Sequence, residues 1–326
     1  MAGDALAFWL CEPGRGAIKP TAVPEPGPGD VRVRTLCTGV SRGTETLVFR
    51  GGVPQSQYTA MRAPFQDGDF PGPVKYGYLN VGVVEHGPPE LKDRTVFCLY
   101  PHQSSYVVPA TAVAVVPEDV PAERAVLAGT VETAVNALWD AAPLIGDRIT
   151  VVGAGMVGCC VARLLARLPG AQVALVDIDD DRAATARSLG VDFTLPGDAA
   201  EGRDLVVHTS ATSEGLQRSL DLLAPECTVI DLSWYGDAQV QLSLGGAFHS
   251  ARLGIRASQV GAVAAARRGR RSASERLSLA LGLLRDPAFD ALLTGSSPFE
   301  DLPEVMARLA DGSLPALCHT ITYSEG

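Results

Sequence analysis

The 326-residue sequence contains no stretch of 18 or more apolar residues, which excludes a membrane-spanning helix of ordinary length. Positive charge is scarce. Its 27 Lys and Arg are outnumbered by 37 Asp and Glu, for a net charge of −10. Nucleic acid and anionic membranes recruit clustered cations, so neither is expected as a partner. The start, MAGDALAFWLCEPGRG, lacks the basic head and long apolar core of a secretory signal, so a cytoplasmic location is expected. The seven cysteines are an odd number scattered without a framework, the pattern of reduced thiols and not of a disulfide-stapled domain. Internal repeats and low-complexity tracts are also absent. What remains is a globular composition, 46% apolar and 20% charged, on a chain long enough for about two domains.

The most informative stretch is 149–177, ITVVGAGMVGCCVARLLARLPGAQVALVD. An apolar run, Ile149 to Val152, leads into Gly153-Ala154-Gly155-Met156-Val157-Gly158. A helical pattern follows, and a second apolar run, Val173 to Val176, ends on Asp177. Strand, glycine turn, helix, strand and acid in that order form the dinucleotide-binding fingerprint. Gly153 permits the tight turn, Gly155 lets the backbone approach a pyrophosphate, and Gly158 lets helix and strand pack closely. The helix N-terminus offers unpaired N–H groups to the phosphates. The Asp177 carboxylate can accept from both adenosine-ribose hydroxyls and would repel a 2′-phosphate, which favours NAD(H) over NADP(H). Met156 and Val157 of the turn, with Ser210 and Ser233 at the ends of later strands, are assigned to the same cofactor.

The first 118 residues are rich in glycine, proline and short apolar runs. Strands are expected at 31–36, 80–85, 95–100 and 105–108, as in a compact β-barrel. Residues 50–75 read as a long surface loop. From residue 121 the texture changes to a helical pattern over 121–139. Strands at 149–153, 172–177, 204–209, 228–233 and 252–257 then alternate with helices at 156–168, 181–189 and 214–223, the rhythm of a parallel sheet covered on both faces. After about residue 260 the rhythm breaks into a helix (274–284), a short strand (291–293), a helix (302–309) and a last strand (317–323). The expected domains are 1–118, completed by 260–326, and 119–259.

This order resembles the medium-chain dehydrogenase/reductase superfamily. The resemblance rests on Gly39-Val40-Ser41-Arg42-Gly43-Thr44-Glu45, the Gly77 turn before Val81, the helix around Glu132, the 149–177 unit, Asp204 to Val207 with Ser210 after it, Ser258 to Gly261, and the closing Leu292 to Glu304 stretch. Within the superfamily it is most similar to the bacteriochlorophyllide dehydrogenase-like branch, where Ser-x-Gly-Thr-Glu recurs. The resemblance implies an α/β fold: a GroES-like β-barrel domain plus a Rossmann doubly wound parallel sheet. It also implies a homodimer formed through the strand near 253–257. The departures concern zinc. Members with a catalytic metal hold it through a cysteine where this chain has Ser41 and a histidine where it has Tyr78, while Glu132 stands where some carry a glutamate near the metal. Only Cys98 falls where a structural zinc lobe would need four cysteines. No metal is therefore expected.

Without a metal, hydride transfer still needs a hydrogen-bond donor at the reacting oxygen and a proton relay. Tyr78 either donates there or covers a core edge. Glu132 either holds a proton, its pKa raised by burial, or makes a structural hydrogen bond. Ser41 and Thr44 either line the pocket and relay a proton or serve turn chemistry. His102 is the histidine to watch, in a loop where exposed histidines are otherwise idle. Lys75 either meets an anionic substrate or is solvated. Arg267, Arg268, Arg270 and Arg271 either grip an anion, cap a neighbouring subunit or form a solvated loop. The expected function is an NAD(H)-dependent, zinc-independent oxidoreductase interconverting a small-molecule secondary alcohol and a ketone; the branch resemblance implies, as one option, a side chain on a bulky ring. An NADPH-dependent enone or quinone reductase and a non-catalytic dinucleotide-binding protein are the alternatives.

Overall fold

A computed structural model describes residues 3–324. The chain folds into two units. Among the described residues the first comprises 3–129, 281–285 and 293–324, and the second 130–280 and 286–292. The change of unit falls later than the composition suggests, at 129/130 instead of 118/119, and 260–280 goes with the second unit. Residues 122–126 stay in the first unit because they pack on its barrel: a Cβ at Gly39 would lie 3.2 Å from Val126.

The first unit runs β1 (Gly3–Glu12), β2 (Arg15–Val23), β3 (Asp30–Ser41), α1 (Arg42–Phe49), β4 (Asp67–Gly68), β5 (Val74–Lys75), β6 (Asn80–His86), β7 (Thr95–Cys98), β8 (Ser105–Pro109), β9 (Val113–Val115) and α2 (Ala122–Ala125). One sheet has the order β2-β1-β5-β4. Its β1–β2 hairpin is absent from the strands expected above; β2 carries Pro20, which an edge strand tolerates because its N–H side needs no partner. In the other sheet β3 is central, pairing antiparallel with β6 and β8. Its alternating burial puts Val31 and Val33 into a core with Val84, Val96 and Tyr106. The expected 50–75 loop is mostly irregular, yet Val53, Gln66 and Phe70 are buried in it.

The second unit holds most of α3 (Ala128–Ala141), then β10 (Arg148–Val152), α4 (Met156–Leu165), β11 (Gln172–Val176), α5 (Arg182–Ser188), β12 (Asp192–Thr194), β13 (Leu205–His208), α6 (Ser213–Asp221), β14 (Thr228–Asp231), α7 (Ala247–Ser250), β15 (Gly254–Ala257) and most of α8 (Ala273–Leu283). All five pairings in its sheet, ordered β12-β11-β10-β13-β14-β15, are parallel. The short strand β12 has no counterpart in the expected pattern, and the 121–139 helix is broken into α2 and α3. The chain closes with β16 (Leu293–Pro298), α9 (Leu302–Asp311) and β17 (Cys318–Thr322). The strand expected at 291–293 starts later: 287–292 form a 3-10 turn that buries Phe289 and Leu292, and the strand begins at Leu293. β17 pairs with β3, setting Cys318 opposite Ser41, so the C-terminal return is built into the first unit's sheet.

Candidate functional site

β10 is buried from Ile149 to Val152 and leads into Gly153, whose φ of +108° suits glycine alone. A Cβ there would lie 2.7 Å from the Thr209 hydroxyl and 2.8 Å from the Ser210 nitrogen. At Gly158 it would lie 1.9 Å from the Gly153 carbonyl oxygen. At Gly155 it would meet nothing within 4 Å, so the space over the turn is open. α4 starts at Met156 with Gly155 as an N-cap that has no side chain to satisfy the first N–H groups. Met156 is buried, and it serves the turn through its backbone. The half-exposed Asp177 accepts the Ala154 N–H on Oδ2 at 2.6 Å and the Asp179 N–H on Oδ1 at 3.0 Å. Two of roughly four acceptor directions on the carboxylate remain for a ligand. Asp179, Asp180 and Asp181 follow, and the nearby Arg182 is paired to Asp179 at 3.1 Å. The residues fit a dinucleotide.

Ser210 and Ser233 flank a buried network that sequence reasoning missed. His208, fully buried at the end of β13, places Nδ1 2.9 Å from Asp231 Oδ1 and Nε2 2.7 Å from Ser210 Oγ. Asp231 also accepts the Ser233 N–H (2.9 Å) and the Tyr235 O–H (2.9 Å). Burial opposes the Asp231 charge, but these donors more than offset it and hold the carboxyl below its ordinary range. The signal in the sequence is a histidine ending an otherwise apolar strand, Leu205 to His208.

In the first unit the turn after β3 is held by Glu45. Its Oε1 accepts the Ser41 N–H at 2.7 Å, and its Oε2 lies 2.8 Å from His102 Nε2. His102 Nδ1 is 2.7 Å from Thr38 Oγ1, so both ring nitrogens are engaged and the side chain is 1% exposed. The expectation of a histidine in an open loop is thus corrected: the loop seats His102 beneath Gly77, where a Cβ would come within 2.8 Å of its ring. Tyr78 has the Ser41 and Thr44 side chains as hydrogen-bond neighbours. Burial first, and the Glu45 charge second, push its hydroxyl up to about 12. Ser41, Thr44, Tyr78 and His102 therefore gather around one carboxylate, Glu45, which closes the Ser-x-Gly-Thr-Glu stretch but was given no role from the sequence. Lys75 is buried, donating to Gln103 at 2.7 Å and lying 5.8 and 5.7 Å from the ring centroids of Trp9 and Tyr100, so it is not a solvated lysine.

Glu132 belongs to the second unit. Its Oε1 accepts from Arg276 Nε at 3.0 Å, and Arg276 also donates to Asn136 (2.5 Å) and the Val260 carbonyl (2.6 Å). Burial raises the Glu132 pKa and the arginine opposes that rise. This ion pair anchors 260–276 in the second unit. Arg267 stacks over Trp139 at 5.8 Å, and Arg268, Arg270 and Arg271 are exposed.

Comparison with known proteins agrees with this architecture. The family profile of ketopantoate reductase PanE/ApbA matches residues 149–224, from the glycine turn through α6. An L-threonine 3-dehydrogenase from Rhizobium rhizogenes is 28% identical over 115 residues, a match covering 35% of this chain and 33% of that protein. L-idonate 5-dehydrogenase from Escherichia coli superposes over 99% of both chains with a TM-score of 0.81 at 14% identity. A short chain alcohol dehydrogenase from Escherichia coli, complexed with NADH, superposes over 98% of this chain and 100% of its own with a TM-score of 0.77 at 15% identity. The chain has the medium-chain dehydrogenase fold. Zinc-type members of that fold raise the question of a metal, and the donor set does not fit one. The positions that the resemblance would give to zinc ligands offer the Ser41 and Tyr78 hydroxyls, and both Glu45 oxygens and both His102 nitrogens are already engaged. Among the described residues no group of three or more His, Cys, Asp or Glu is placed to hold a metal ion.

Two predictions come from this geometry. Gly155→Ala should leave thermal stability unchanged yet abolish measurable dinucleotide binding, whereas Gly158→Ala should also destabilise the fold, because its Cβ meets backbone; melting curves paired with nucleotide titrations separate the two. Arg276→Met should cost about 3 kcal/mol in urea denaturation, since it strands a buried carboxylate. Because the folded Glu132 pKa is raised, that deficit should grow as pH rises, and a second change, Glu132→Gln, should recover most of it.

Proposed function

We propose that the protein is an NAD(H)-dependent oxidoreductase that interconverts a secondary alcohol and a ketone without zinc. The single observation that carries the reading is the glycine turn with open space over Gly155 and a half-exposed Asp177 behind it. Gly153, Gly155 and Gly158 with the first N–H groups of α4 would hold the pyrophosphate, and Asp177 the adenosine ribose. The bound nicotinamide supplies or accepts the hydride. The carboxylates at 177, 179, 180 and 181 support NAD(H) over NADP(H), because a 2′-phosphate would meet a row of like charge.

On the protein side, Tyr78 keeps its proton through the physiological range and can donate to a carbonyl oxygen as negative charge develops there. The Ser41 and Thr44 hydroxyls give that proton a route for exchange. Glu45 and His102 hold the turn in place beneath them. A likeness to dehydrogenases of alcohols and polyols supports the substrate class, and the edge position of β15 in its sheet supports a homodimer joined there. A bulky ring bearing a hydroxyethyl or acetyl group remains the substrate type suggested by the branch resemblance, and the cytoplasm the expected compartment.

NADH oxidation followed against a panel of ketones tests the proposal. Turnover should persist after exhaustive chelation, and Tyr78→Phe should lower kcat by about 10²-fold, the usual cost of one donor at a developing oxyanion. NADH should bind about tenfold or more tightly than NADPH, a difference of ~1.4 kcal/mol. Failure to bind either nucleotide would end the reading.

A further inference from the structure

The hydrogen bonds around His208 run in one direction. Asp231 is an anion and accepts only, so His208 Nδ1 carries the proton shared with Oδ1 at 2.9 Å. With the ring's proton on Nδ1, Nε2 is bare, and Ser210 Oγ, 2.7 Å away, donates to it. Since the Ser210 proton points inward, the contact with Thr212 Oγ1 at 3.0 Å is a donation from threonine to serine. Thr212 in turn accepts the Gly215 N–H at 3.0 Å as N-cap of α6. The chain therefore reads Gly215 N–H, Thr212 O–H, Ser210 O–H, His208, Asp231, with every proton aimed at the buried carboxylate.

We infer that His208 and Asp231 are positioning residues that lock the partly exposed Ser210 hydroxyl as an acceptor. Ser210 offers a ligand a lone pair and no proton. It therefore recognises a hydrogen-bond donor on the dinucleotide, a ribose hydroxyl or the carboxamide N–H, and not a phosphate oxygen. This rests on the dinucleotide reading above and adds a polarity to it. Ser210 lies at the carboxyl end of β13, against the glycine turn: a Cβ at Gly153 would sit 2.8 Å from its nitrogen. The carboxyl ends of the strands are the ligand side of a doubly wound sheet.

NADH titrations by fluorescence on the unmodified protein and on Ser210→Ala test this. Ser210→Ala should bind NADH about fivefold more weakly, the worth of one neutral hydrogen bond. The 3-acetylpyridine analogue, which lacks the amide N–H, names the donor: equal affinity for the unmodified protein and Ser210→Ala assigns the carboxamide, and the fivefold loss seen with NADH assigns a ribose hydroxyl. If Ser210→Ala binds NADH as the unmodified protein does, the polarity lock is wrong while the nucleotide reading stands. If the unmodified protein binds no NADH, both fall.

Discussion

The nucleotide unit is organised around two atoms that are missing. A Cβ at Gly158 would overlap the Gly153 carbonyl oxygen, and a Cβ at Gly153 would strike Thr209 and Ser210. Their absence lets α4 start directly over the end of β10 and lets β13 close against the same turn. Thr209 secures the arrangement by donating to the Gly153 carbonyl at 2.8 Å. Everything assigned to the dinucleotide depends on this closeness: the first N–H groups of α4, the open space over Gly155, and the position of Ser210.

The buried carboxylates follow one rule with different outcomes. An unpaired buried charge costs several kcal/mol, so each has a donor at hand. Glu132 takes an arginine, and the result ties a distant segment to α3. Glu45 takes a backbone N–H and a histidine, and the result is a rigid turn under Ser41, Thr44 and Tyr78. For Glu45 to ligate a metal it would have to release Ser41 N–H or His102, leaving a buried donor unsatisfied at about 1–3 kcal/mol. That cost supports charge stabilisation by hydroxyl donors at this turn.

The glycine turn was legible because it is local: a short apolar run gives way to a helical pattern across six residues, and the acid follows at a fixed distance. The parallel strands of the second unit were legible for the same reason, as continuous apolar runs. The partners of the polar groups were not. Glu45 and His102 are 57 residues apart, His208 and Asp231 are 23 apart, and Glu132 and Arg276 are 144 apart. Spacing in the sequence holds no trace of such pairs, since they are created by strand order and by loops that return. His102 looked like an exposed loop residue because nothing local reveals that Gly77 leaves room for its ring. The β1–β2 hairpin was hidden by a continuous apolar run and by Pro20, both of which obscure alternation.

Asp177 and Asp231 both end on the carboxyl edge of the parallel sheet, and their surroundings divide the work of reading a ligand between them. Asp177 is half-exposed and spends two acceptor directions on backbone N–H groups, so it can accept directly from a ribose. Asp231 is nearly buried, and three donors leave it little to offer outside. Its charge still reaches the surface, because it orients His208 and through it the Ser210 proton. A carboxylate facing a diol and a serine fixed as an acceptor both favour ligand atoms that carry protons, and both oppose bare phosphate oxygens. The pyrophosphate is then left to the one place on this edge where unpaired N–H groups point outward, the start of α4. The distribution of donors and acceptors along the edge therefore supports one orientation of the dinucleotide, with phosphates over the glycine turn and hydroxyl or amide groups on either side.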